Sequence, residues 1–265
     1  MNFRSRGDCD PLTRASEAAA SGSNVVDAAG RSAFDQSLLI GGRSPTDSWR
    51  VALHEAGHVV VGRALGSEVG GVTIVPGDGF AGLTWGPANP GTKLSNADGD
   101  AAAPKLVETI GPMMPGPGEA RDAVADVFAN VHISAIELMA GTAAETILHT
   151  DNPPWDAVSD VVKCKTLATL ICSSERSIEQ FMIFAFEEAV ALINRHRAVV
   201  LAIAQALIDH PAHTLNAAEI DAAIASAVSR ENQQAEFARR EQMTRAAQSA
   251  ARFPTLIGYD HAEAQ

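Results

Sequence analysis

His54, Glu55 and His58 stand in the order His-Glu-x-x-His inside Asp47-Ser-Trp-Arg-Val-Ala-Leu-His-Glu-Ala-Gly-His-Val-Val-Val-Gly-Arg-Ala-Leu65. Residues four apart lie on one face of a helix, one turn apart, so both imidazoles can reach a single Zn²⁺ while the backbone stays regular. Glu55 projects about 60° round the axis from His58, which sets its carboxylate beside a metal-bound water rather than on the metal. Zinc lowers the pKa of its water towards neutrality and polarises a carbonyl, and a flanking carboxylate takes the proton as the water attacks. The chemistry of this triplet is hydrolysis, with His54 and His58 as ligands and Glu55 as general base.

That chemistry needs a helix, and the flanking residues supply one. Thr46 or Asp47 is the expected N-cap after Pro45. Trp49, Ala52, Leu53, Ala56 and Val60 recur at helical spacing as one apolar stripe, with His54, His58, Val61 and Leu65 as a second beside it. The bland alternative is an exposed polar helix face. Gly57 argues against it: a glycine inside a helix costs about 0.5–1 kcal/mol relative to Ala, and a close approach by another backbone would require it. A catalytic zinc generally takes three protein ligands, so two histidines leave the set incomplete. Val59 to Gly66 contains no further histidine, which excludes the extended metzincin pattern, and Glu68 is too close in sequence.

The chain has 265 residues, 46% of them hydrophobic, with few aromatics and many alanines. This favours close helix packing over aromatic-rich strands. A net charge of −12 and a pI near 5.0 argue against a nucleic-acid surface, which wants a basic face. No run approaches the roughly 18 consecutive apolar residues of a membrane span, and the N-terminus lacks the apolar stretch of a secretion signal. Cys9, Cys164 and Cys172 make an odd count without metal-ligand spacing. Cys164 and Cys172 fall in an apolar helical pattern and read as buried thiols, and a reducing cytoplasm is the simplest compartment.

Residues 1–44 are rich in Ser, Ala, Gly and Asp and read as a largely disordered arm, with a short element at Ser32 to Ile40. Val72 to Pro76 and Phe80 to Trp85 read as two strands turned by Gly77-Asp78-Gly79, a hairpin in which Asp78 is a turn residue rather than a ligand. Residues 86–118 read as a long loop, a lid or an insertion, with one short helix at Pro104 to Ile110. Glu119 to Leu148 is helical, Asp151 to Trp155 a turn, Asp156 to Cys172 a helix, and Glu175 to Asp209 one or two helices. Thr214 is the expected cap of Ala217 to Val228. Arg230 to Arg252 has helical propensity but many charges, so 229–265 reads as a solvated or partner-facing helix and tail. The fold class is mainly α, with a small antiparallel β-hairpin beside the helix that carries the histidines. His132, His149, His196, His210, His213 and His261 lack ligand spacing. No G-x-x-x-x-G-K-[ST] is present, so the chain has no P-loop ATPase of its own.

These blocks, in this order, resemble the peptidase domain of the FtsH family (peptidase family M41). The resemblance rests on His54-Glu-Ala-Gly-His-Val-Val-Val-Gly-Arg63, then Val69-Gly-Gly-Val-Thr-Ile-Val-Pro76 and Gly82-Leu-Thr-Trp85. Met139-Ala-Gly-Thr-Ala-Ala-Glu-Thr-Ile147, Trp155 to Ala168 and Glu188 to Leu207 extend it over about 50–228, within an expected peptidase domain of 45–228.

The resemblance implies a helical zinc endopeptidase with one Zn²⁺ per chain, acting on unfolded or extended polypeptides. It makes Asp160 the third ligand. Flanked by Val158, Val161 and Val162, that carboxylate would be costly to bury without a partner such as a metal; the alternatives are a surface Asp160, or Asp156 one turn earlier as the ligand. Glu145 is the next candidate after Asp160, and is expected near the site as an acceptor that orients a histidine. Gly82, Leu83 and Thr84 become the edge strand that pairs with substrate. The family is tethered to an AAA+ ATPase and to membrane helices, and neither is in this sequence; Thr142 stands where the family has arginine. An ATPase on a separate chain and a homo-oligomer are therefore expected partners. The rival readings are a metal-holding scaffold for such an ATPase and a zinc hydrolase of small molecules.

Overall fold

A computed structural model describes residues 40–87, 107–149 and 158–256. Most of the expected arm at 1–44, much of the 86–118 loop, the turn at 151–155, Asp156, Cys9 and His261 lie outside the described residues.

The first helix, α1 (Pro45–Ala64), runs through the middle of the core: Ala52, Leu53, Ala56, Val59 and Val61 have no exposed surface. Its N-cap is Ser44, whose Oγ accepts the amide of Asp47 at 3.1 Å. The cap thus comes earlier than Thr46 or Asp47. Pro45 lacks an N–H and has its φ preset, so it belongs inside the first turn and the capping oxygen must precede it.

After α1, strands β1 (Gly71–Thr73) and β2 (Leu83–Trp85) pair antiparallel with Val72 opposite Thr84. The expected hairpin is present, and Gly79 at φ +86° supplies the left-handed residue of its turn. Arg43, just ahead of α1, donates to the carbonyls of Ala81, at 2.8 Å, and Ile74, tying both arms of the hairpin to the helix entry.

A third strand, β3 (Thr214–Asn216), pairs antiparallel with the other side of β1, Val72 opposite Leu215. The order β2-β1-β3 makes β2 an edge strand. Thr214 is therefore a strand residue and not a helix cap; its Oγ1 meets that of Thr73 at 2.7 Å across the ladder. Asn216 caps instead, accepting from the amides of Ala218 and Glu219, while Glu219 reaches back to the amide of Asn216. This reciprocal pattern is a capping box.

The remaining helices are α2 (Ala125–Leu148), α3 (Val158–Ala168), α4 (Glu175–Arg195), α5 (Arg197–Asp209) and α6 (Ala217–Leu256). Residues 107–110, the described end of the expected Pro104 to Ile110 element, are helical. Glu175 to Asp209 is two helices, bent by 83° around His196. α1 packs against α2, α4 and α5. At its crossing with α2, a Cβ on Gly57 would sit 2.6 Å from the Ala140 carbonyl oxygen and 2.8 Å from Ala144 Cβ. Gly57 is the residue that lets these backbones meet.

α2 has the length and composition to cross a membrane, as do core helices of compact proteins, and 44% of its most apolar window is buried within the fold. α6 runs unbroken through residue 228. Ile220 and Ala227 are buried, while residues 229–252 are exposed apart from half-buried Glu236.

Candidate metal centre

Three helices supply the site. His54 and His58 project from α1, Glu137, Gly141 and Glu145 belong to α2, and Asp160 lies in the first turn of α3. The closeness of α1 and α2 is what makes the arrangement achievable. A Cβ on Gly141 would lie 2.4 Å from the His54 ring, so the imidazole occupies the space that glycine leaves open.

Nε2 of His54, Nε2 of His58 and Oδ2 of Asp160 converge. The two nitrogens are 3.0 Å apart, and Oδ2 lies 3.2 Å from the first and 3.3 Å from the second. Donors about 2.0–2.1 Å from a tetrahedral zinc stand roughly 3.3–3.4 Å from one another. The triangle is close to that size, with its His54–His58 edge the shortest at 3.0 Å.

Both rings are held from behind. Nδ1 of His54 is 2.6 Å from Oε1 of buried Glu145, and Nδ1 of His58 is 2.8 Å from the Glu137 carbonyl oxygen. A carbonyl only accepts, so the His58 Nδ1 must donate. A neutral His58 then turns the Nε2 lone pair towards His54. Glu145 acts in the same way on His54, and its other oxygen, Oε2, lies 3.5 Å from Nε of buried Arg50. The far oxygen of Asp160, Oδ1, lies 3.2 Å from Nζ of Lys163.

Without a metal, the charges lean on one another. Burial disfavours a charged His54, yet bonds to Asp160 and Glu145 and the nearby Glu55 carboxylate raise its pKa from 6.5 to about 10. Burial would raise Asp160, but bonds from His54 and His58 hold it well below the usual carboxylate range. Burial pushes the Glu55 carboxyl up, with His54, His58 and Thr84 opposing.

Glu55 is 5% exposed and sits between α1 and β2, its Oε2 accepting from the Thr84 hydroxyl at 2.8 Å. A Cβ on Gly82 would come within 2.7 Å of Glu55 Cγ and Oε1. The cleft over the centre encloses about 520 Å³, and every residue from Gly79 to Gly86 lines it, Leu83 included. Leu138, Lys163 and Leu167 also line it.

The structure thus brings together His54, Glu55, His58, Glu145 and Asp160, with Gly82, Leu83 and Thr84 alongside. Asp78 stays exposed in the hairpin turn. Among the described residues, no other group of three such side chains could hold a metal ion. Sequence reasoning missed Arg50, Lys163 and the Glu137 carbonyl. Arg50 stands one turn before His54 and Lys163 nearly one turn after Asp160, so helical spacing carries a signal for both; a backbone carbonyl leaves no trace in residue types. No protein-family model matches the chain, and no curated protein matches it in sequence.

Proposed function

We propose that the chain is a zinc-dependent endopeptidase of the FtsH type that cleaves unfolded or extended polypeptides. The observation that carries this reading is the convergence of His54 Nε2, His58 Nε2 and Asp160 Oδ2 at zinc-like spacing beside a buried carboxylate. A zinc ion held there supplies Lewis-acid polarisation of a carbonyl and an acidified water. Glu145 and the Glu137 carbonyl hold the imidazoles with Nε2 facing the ion. Glu55, steadied by Thr84, accepts the proton of the attacking water at its carboxylate and returns it to the leaving amine.

An extended substrate is favoured by the shape of the cleft. It follows the hairpin from Gly79 to Gly86 along the edge strand β2, where a peptide can add as a further strand. Backbone pairing of that kind gives loose sequence preference. Folded substrates would need an unfoldase, and a separate AAA+ ATPase is the partner that fits this role. Purified protein should hold about one zinc per chain and cleave casein. Glu55→Gln should keep the metal and lose cleavage; full cleavage by that variant ends the reading, and bound metal without turnover in the wild type supports a scaffold instead.

A further inference from the structure

Two of the acids at the centre, Glu145 and Asp160, turn one oxygen inward and the other towards a cation. Glu145 offers Oε1 to His54 and Oε2 to Arg50. Asp160 offers Oδ2 to the two Nε2 atoms and Oδ1 to Lys163. The second case bears on the coordination itself. An aspartate free to swing can bind through both oxygens and, beside the water or substrate position, expand a four-coordinate centre to five. Lys163 stands three residues after Asp160 on the same helical face, and its side chain is 18% exposed at the cleft wall.

Resting on the metal-centre reading above, we propose that Lys163 is a positioning residue that holds Asp160 to one-oxygen ligation and so keeps the centre four-coordinate, with its fourth position left to water or substrate. The ammonium engages Oδ1 and leaves Oδ2 directed at the imidazoles. A neutral side chain at 163 frees Oδ1 to turn inward.

The test replaces zinc by cobalt, whose visible absorption is intense when four-coordinate and weak when five- or six-coordinate. Wild type should show the intense spectrum. Lys163→Met and the more polar Lys163→Gln should bind cobalt with severalfold weaker absorption, and Lys163→Arg should restore the wild-type spectrum. On the zinc forms, the neutral variants should lose about 10–100-fold in kcat, the scale of an orienting partner, with KM little changed. Wild-type spectra from bound cobalt in both neutral variants overturn the role of Lys163 and leave the centre standing. So does loss of cobalt from both neutral variants, which would make Lys163 a determinant of affinity rather than of coordination. A wild type that takes up no cobalt removes the metal-centre reading and this inference with it, whereas uptake with only weak absorption overturns this inference alone.

Discussion

Nε2 of His54 and Nε2 of His58 face each other at 3.0 Å while the outer nitrogen of each ring is engaged by an acceptor. Two neutral rings so held would press lone pair against lone pair. The contact is stable only with a cation between them, either a proton or a metal ion.

Zinc uptake should therefore expel a proton. In the metal-free protein His54 has its pKa raised from 6.5 to about 10. A raised value stabilises the fold fully below the unfolded pKa, and that contribution is lost as pH climbs through the folded one. The metal-free protein should lose thermal stability from pH 7 to pH 10, the zinc-loaded protein much less. At pH 8 about one proton should leave per zinc bound, measurable by calorimetry in buffers of different ionisation heat. Uptake without proton release would contradict the tautomers assigned to the rings.

Glu145→Gln should weaken zinc binding by about 10–100-fold, the usual effect of removing an orienting carboxylate. Glu145→Ala should do more, because it leaves the buried Arg50 guanidinium without this acid; breaking a buried pair costs roughly 3–5 kcal/mol. Chelator competition reads the first effect, and urea unfolding of the metal-free protein reads the second.

Two glycines should fail in different ways. A methyl at Gly57 runs into the Ala140 carbonyl, so Gly57→Ala should lower global stability by about 1–3 kcal/mol, as overpacking does. A methyl at Gly141 runs into the His54 ring, whose Nδ1 is pinned to Glu145. Gly141→Ala should show its main loss in zinc affinity. Equal zinc affinity in wild type and Gly141→Ala would mean that the ring has room to move.

Cys164 has no exposed surface, and burial, aided by the nearby Asp160 charge, pushes its thiol up to about 12. Folded protein at pH 8 should resist alkylation there, while half-buried Cys172 should react faster. Peptide mapping after iodoacetamide treatment, with and without urea, separates the two.

What could be read beforehand follows from the range of the interactions. His54 and His58 are four residues apart, and helical repeat alone puts them together. Gly57 announces a close approach because its cost in a helix is local. Asp160 is 106 positions from His54, and only the likeness of whole blocks to a known peptidase joined them. Strand β3 was hidden for a different reason. Thr-Leu-Asn before an alanine-rich helix carries the residue types of a cap, and its strand character comes from lying beside β1. The continuity of α6 past residue 228 was equally hard to see, since the change from apolar to charged residues marks the end of burial and not the end of the helix.

The strand that completes the sheet follows both imidazoles, Asp160 and the hairpin in the chain. A chain still on the ribosome, halted before Thr214, already contains both imidazoles, Asp160 and the hairpin, but β1 lacks its second neighbour. Thr84, the hydroxyl against which Glu55 leans, then hangs on a two-stranded ribbon, which is marginal by itself in water. The seat of Glu55 against Thr84 would therefore become firm only once Thr214 to Asn216 have been made and paired with β1.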